Sequence, residues 1–130
     1  MVDVDRFKEY NDQYGHSTGD EVLKETASIL NGAVRKETDW VARSGGDEFV
    51  VVLGGVAKNK AEQAVYSVRE RINKLLEITE VKSPEGERLT VSLSIGHTRA
   101  TKGERKSVQD LLTEADKNMY EEKEVKKKAA

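Results

Sequence analysis

Residues 42–53 read ARSGGDEFVVVL, and this stretch limits the fold more than any other. "DWVARS" (residues 39–44) and "EFVVVL" (residues 48–53) predict two strands joined by a tight turn. Gly45 and Gly46 suit a two-residue hairpin loop, which favours φ above zero. They also leave bare backbone that a ligand can approach closely. Asp47 and Glu48 stand at this tip, directly before the apolar run Phe49 to Leu53. Acids in that place either decorate a solvated turn or face something cationic.

A second acidic pair tilts the choice. "MVDVD" at the start predicts a very short strand with Asp3 and Asp5 on one face. An unpaired carboxylate buried on a central strand is expensive, so a cation is expected beside it. Carboxylates without His or Cys partners favour hard ions such as Mg²⁺, which keep waters and accept phosphate oxygens. The chain has no cysteine, so disulfides and thiolate metal sites are excluded. That composition fits a reducing compartment, and a cytoplasmic location is expected.

The remaining pattern alternates strands and helices. "RFKEYNDQYGH" places Phe7, Tyr10 and Tyr14 at helical spacing, with Gly15 as a stop. "STGDEVLKETASILNGAVRK" predicts a helix with Val22, Leu23, Thr26, Ala27, Leu30 and Val34 inward. Ser17 or Thr18 would cap it, with Asp20 and Glu21 in its first turn. "NKAEQAVYSVRERINKLLEI" predicts another amphipathic helix, and "EVKSPEGERLTVSLSIGHTRA" a second hairpin turning at Pro84-Glu85-Gly86. "SVQDLLTEADKNMYEEKEVKKK" predicts the last helix, with Leu111, Leu112, Ala115 and Met119 inward. The order β-α-α-β-β-α-β-β-α, without linker or repeat, predicts an α/β (α+β) sandwich: a mostly antiparallel sheet flanked by helices. At 130 residues the chain suits one domain. Apolar residues are 36% and charged residues 35%, but the apolar ones cluster, which favours a folded domain. A net charge of −2 and no long apolar run predict neither nucleic-acid polymer nor membrane as partner. His16 reads as a structural loop residue and His97 as a surface one.

Four blocks carry a family resemblance. "RSGGDEF" (43–49) resembles the Gly-Gly-Asp-Glu-Phe motif of the GGDEF domains, the diguanylate cyclases. "DVDRFKEYNDQYGHSTGDEVL" (3–23) looks like that family's first block, Asp-x-Asp-x-Phe-Lys-x-x-Asn-Asp-x-x-Gly-His-x-x-Gly-Asp. "LTVSLSIG" (89–96) and "ADKNMYEEK" (115–123) are similar to its later strand and last helix. The resemblance runs from residue 3 to about residue 127. It implies a palm-like nucleotidyl-cyclase core that condenses two GTP molecules into cyclic di-GMP across a transient homodimer. It also implies two Mg²⁺ or Mn²⁺ ions per active site, and an upstream sensory domain in the full-length protein. Asp3 and Asp47 would be metal ligands, helped by the Val4 carbonyl. Glu48 would assist the metal or activate the attacking 3′-hydroxyl. Asn11 and Asp20 would read the guanine edge. Phe7 and Lys8 lie where backbone amides hold phosphate, Gly45 and Gly46 leave substrate room, and Lys123 and Lys127 would bind phosphate. The same two lysines also suit a solvated cationic helix end, and Asp20 suits a helix start.

The chain departs from that family in three places. It opens inside the first strand, so residues 1–130 read as one N-terminally shortened GGDEF domain. The family's inhibitory product motif, Arg-x-x-Asp, corresponds here to "KETD", Lys36 to Asp39. Lysine cannot reproduce arginine's planar bidentate contact, and Arg35 stands one residue out of register, so weak or absent product inhibition is expected. Lys127 occupies a position where the family usually has arginine, without the usual glycine before it. The alternative to an active cyclase is a GGDEF domain that binds GTP or a protein partner without turnover.

Overall fold

The computed structural model describes residues 1–129. The elements are β1 (Val2–Val4), α1 (Phe7–Tyr14), α2 (His16–Ala33), β2 (Asp39–Gly45), β3 (Glu48–Leu53), α3 (Ala61–Ile78), β4 (Val81–Lys82), β5 (Arg88–Leu89), β6 (Leu93–Ile95) and α4 (Val108–Ala129). Four strands form an antiparallel sheet in the order β2-β3-β1-β6; β4 and β5 pair separately. The expected mixed fold, with a central antiparallel sheet flanked by helices, is therefore present.

Register assigns the faces. Val2 lies opposite Phe49 and Ile95, and Val4 opposite Leu93. Cross-strand partners share a face, so these residues make one apolar layer. With Val22, Leu30 and Ile72 from α2 and α3 they form the core. Each fully buried aliphatic side chain contributes roughly 1.5–3 kcal/mol. Thr26, also inside this layer, satisfies its hydroxyl by donating to the Val22 carbonyl at 2.7 Å. Asp3 lies opposite Glu48 and Ser94, so the three share the other face. Helix α4 packs against β6, next to that polar patch. Gly96 permits the approach, because a Cβ there would lie 1.9 Å from the Met119 amide nitrogen. On the same face beyond α4, Trp40 and Val52 are paired in register and remain 73% and 51% exposed.

Local details depart from the sequence expectations. The hairpin turn falls on Gly46-Asp47, not on Gly45-Gly46, because a bulge between Arg43 and Gly45 shifts the register by one. Gly46 takes φ +47°, and its carbonyl accepts from Arg43 Nε at 2.8 Å. The second hairpin is split. After Leu89 the chain leaves β4 and re-forms as β6 beside β1. The Thr90 carbonyl accepts from the Tyr10 hydroxyl, and the Ser92 carbonyl accepts from the Asp5 amide at 2.8 Å. Helix α2 starts at His16, directly after Gly15, so neither Ser17 nor Thr18 caps it. Thr18 is buried and donates back to the Tyr14 carbonyl at 3.3 Å. Asp20 consequently lies beyond the first turn. Ser107 and Asp110 do cap α4 reciprocally, at 3.0 and 3.2 Å.

Candidate active site

The two acidic clusters meet at one corner. The chain leaves β1 at Asp5, passes Arg6 in the left-handed region at φ +57°, and enters α1 at Phe7. The hairpin turn lies alongside, because the Val4 amide donates to the Asp47 carbonyl at 3.2 Å. The C-terminal half of α4 completes the corner with two lysines. Lys123 reaches Asp3 Oδ2 at 2.5 Å, and Lys126 reaches Asp5 Oδ2 at 3.0 Å.

Asp3 is the unusual member. It is 5% exposed, and its Oδ1 is buried without any hydrogen-bond partner. Burial is the main force pushing its carboxyl up, to about 6; the Lys123 ammonium opposes the shift, and neighbouring Asp47 adds to it. Two ionised carboxylates side by side offer only acceptors, so neither satisfies the other. Glu48 is also pushed up, first by burial, then by Asp116 and Asp3, with Lys123 opposing. This corner therefore holds more negative charge than Lys123 alone balances. A hard divalent cation fits: it would occupy the orphaned Asp3 oxygen and relieve the Asp3–Asp47 repulsion. Among the described residues no group of three acidic or histidine side chains forms a cation cage.

Asp5 is different. Ser94 Oγ donates to its Oδ1 at 2.5 Å, and Ser92 Oγ to its Oδ2 at 2.7 Å. Burial would raise its carboxyl, yet Ser94, Ser92 and Lys126 together hold it below the usual value. Its oxygens are satisfied by the protein, so it shares the face of Asp3 without an unpartnered oxygen of its own.

The α1 start is open. No side chain caps it, and the first-turn amides of a helix have no partner within the helix. Phe7 and Lys8 supply two of those amides, a few residues from Asp3. At the far end of α1, Asn11 lies against α2. A Cβ on Gly19 would stand 1.8 Å from Asn11 Oδ1, so only glycine lets this side chain rest there, beside exposed Asp20. We expect Gly19→Ala to keep the fold, since the obstacle is the end of one side chain. On the base-reading role that the resemblance implies for Asn11, displacing it should weaken guanine-nucleotide affinity about tenfold, the scale of one lost hydrogen bond to a polar base edge. Titration with GTP and ATP would check it; an unchanged GTP/ATP ratio would remove Asn11 from base reading.

Two expectations come apart. Lys127 points away from the acids and pairs with Glu124 at 3.4 Å, 67% exposed. Lys126, which sequence reasoning passed over, takes the inner place. Both are one helical turn from Lys123, so spacing alone could not choose between them. Asp39, named with Lys36 as a degenerate product site, is fully occupied. Arg35 grips it through Nε at 3.2 Å and a terminal nitrogen at 3.0 Å, and the Arg35 and Gly54 amides donate at 2.8 and 3.1 Å. Although burial opposes it, these donors pull the Asp39 carboxyl down to about 2. Its folded value lies below its unfolded one. This contribution to stability is therefore present above about pH 4 and lost as pH falls towards 2. Asp39→Asn should flatten that part of the acid-unfolding curve; an unaltered curve would deny the assignment.

An apolar groove of about 710 Å³, lined by Val50, Val65, Val68, Leu111 and Leu112 among others, lies away from the acid corner.

Comparison with known proteins identifies the family. The family model "Diguanylate cyclase, GGDEF domain" matches residues 1–129. Diguanylate cyclase DosC of Escherichia coli K12 is 42% identical over 96 residues, covering 74% of this chain and 20% of DosC. Diguanylate cyclase A of Treponema denticola is 38% identical over 124 residues, covering 95% of this chain and 32% of that protein. The crystal structure of the GGDEF domain of YfiN (TpbB) from Pseudomonas aeruginosa superposes with a TM-score of 0.79 at 35% identity, covering 95% of this chain and 73% of that one. This chain thus spans a third or less of the length of these curated relatives. With its motif at the hairpin turn, its acids at the end of β1 and a match along nearly its whole length, this chain belongs to the GGDEF family of diguanylate cyclase domains.

Proposed function

We propose that this chain is the catalytic unit of a diguanylate cyclase, joining two GTP molecules into cyclic di-GMP with release of pyrophosphate. The observation that carries the reading is the buried, unpartnered oxygen of Asp3 beside Asp47, with Lys123 on the other Asp3 oxygen.

Asp3 and Asp47, with the Val4 carbonyl, would hold the divalent cations, two Mg²⁺ or Mn²⁺ per active site. Bound there, they would supply charge neutralisation at the reacting phosphate. The residues of the chain do the rest. The open amides of Phe7 and Lys8 receive phosphate oxygens at the start of α1. With Asp3 committed to a cation, the Lys123 ammonium would be released from Asp3 Oδ2 and could turn to the triphosphate. Asp20 accepts from N1–H and the exocyclic amine of guanine, a donor pair that adenine lacks, and Asn11 contacts the same edge. Glu48, kept more basic by burial and by its acidic neighbours, accepts the proton of the attacking 3′-hydroxyl. Each 3′-hydroxyl attacks the α-phosphorus of the other GTP, and each time the α–β bond breaks, so two phosphodiester bonds form and two pyrophosphates leave. Each copy presents one set of these residues, so two copies must face each other with one GTP apiece.

Incubation with Mg-GTP, followed by mass spectrometry, tests the reading. Cyclic di-GMP should form, and the rate per molecule of this chain should rise with its concentration, because two copies must meet to complete a site. Mg-GTP binding by calorimetry with no cyclic dinucleotide at any concentration would replace catalysis by binding alone.

A further inference from the structure

We propose that Lys126 is a positioning residue of the nucleotide site, acting through Asp5 to set both the phosphate-binding turn and the reach of Lys123. The proposal rests on the cyclase reading for the identity of the nucleotide.

The geometry separates the two inner lysines. Lys123 has Asp3 as its partner, and is free to exchange it. Lys126 has three acceptors: Asp5 Oδ2 at 3.0 Å, Ser92 Oγ at 3.5 Å and the Leu93 carbonyl. An ammonium has three donors, so all of them are engaged. It is an anchor and not a hand held out to phosphate. What it anchors matters. Leu93 and Ser94 belong to β6, the strand against which α4 packs, so Lys126 ties the last turns of α4 to that strand. Lys123 lies one turn earlier on the same helix face, and its ammonium must cross to Asp3 on the next strand.

Asp5 carries the effect onward. It is the last residue before Arg6, whose left-handed backbone turns the chain into α1. Its carboxylate is held by Ser92, Ser94 and Lys126, and its amide donates to the Ser92 carbonyl at 2.8 Å. The orientation of the Phe7 and Lys8 amides follows from that clamp. Without the ammonium, Asp5 keeps two hydroxyl donors but loses its ion-pair partner, and the helix end loses its tie to the sheet.

The test is nucleotide affinity with and without turnover. Lys126→Gln keeps a donor and removes the charge; Lys126→Arg keeps both. Lys126→Gln should raise the KM and the calorimetric Kd for Mg-GTP about tenfold, with kcat changed less than about threefold, because the phosphate grip is used equally before and during reaction. Lys126→Arg should restore most of the loss. Asp5→Asn should give a similar change, and the double variant should be no worse than either single one, since both break one device. An unchanged Kd in Lys126→Gln overturns the proposal. So do effects of Lys126→Gln and Asp5→Asn that multiply. A wild type that binds Mg-GTP without forming product defeats the cyclase reading while leaving Kd to decide this one; no binding at all defeats both.

Discussion

Asp47→Ala should abolish turnover without harming the fold. The structural duty of Asp47 is performed by its carbonyl, which accepts from the Val4 amide, and alanine keeps that carbonyl. Its carboxylate does the opposite of stabilising: with burial, it pushes the Asp3 carboxyl up to about 6. Asp3 therefore carries its charge in the fold at a cost above about pH 6, and the cost is relieved as pH falls. Removing Asp47 lowers that cost, so thermal stability at neutral pH should hold or rise slightly. On the proposed role of Asp47 as a metal ligand, activity should fall roughly a thousandfold, since such a ligand is worth several kcal/mol of transition-state charge stabilisation and each decade is about 1.4 kcal/mol. The two measurements are needed together. A melting temperature several degrees lower would show that the side chain is structural, and activity within tenfold of wild type would take Asp47 out of the chemistry.

Gly96→Ala should have the largest effect on stability. A Cβ at this position would stand 1.9 Å from the Met119 amide nitrogen, 2.4 Å from the Ala115 carbonyl oxygen and 2.5 Å from the Met119 Cα. All three are backbone atoms of α4, so no rotamer change relieves the contact. Gly96 cannot retreat either. Its amide donates to the Met1 carbonyl at 3.0 Å, and its carbonyl accepts from the Met1 amino group at 2.9 Å. The helix must move off the strand. Overpacking of this kind costs up to about 3 kcal/mol and occasionally more. For a domain of this size that is a fall of roughly 10 °C in Tm. The folded remainder should also bind nucleotide poorly, because a displaced α4 takes Lys123 away from Asp3. A Tm within about 2 °C of wild type would show that α4 is free to shift, contrary to the packing described above.

Legibility from sequence followed the range of the forces involved. The β1 acids, the hairpin and the four helices were readable because periodicity and turn residues act within a few positions. β3 was placed at its observed limits, since an apolar run bounded by Gly and acidic residues has few other uses. The second hairpin was only half readable. Its long second strand looks continuous in sequence, yet Tyr10 and Asp5, some eighty residues away, take the Thr90 and Ser92 carbonyls and divert it to β1. The turn register was misjudged for the same kind of reason: a bulge at Arg43–Gly45 depends on how β2 pairs, not on which residues favour a turn. Arg35 was set aside as out of register with the product motif. Its bidentate hold on Asp39 depends on where the loop after α2 brings the Arg35 side chain.

What the sequence determined alone is the inventory: a strand ending in two acids, a hairpin tip with two more, glycines where backbone must turn, and a cationic last helix. Each is a local property, and each survived in the folded chain. Which charge meets which was decided only by tertiary structure. Asp3 and Asp5 look alike in a strand, yet one keeps a bare oxygen and the other is saturated by Ser92, Ser94 and Lys126. Lys126 and Lys127 look alike on a helix, yet only the first turns inward. The physical reason is that a buried charge answers to the atoms within a few ångströms of it, and those atoms come from strands and helices about ninety to one hundred and twenty residues distant along the chain.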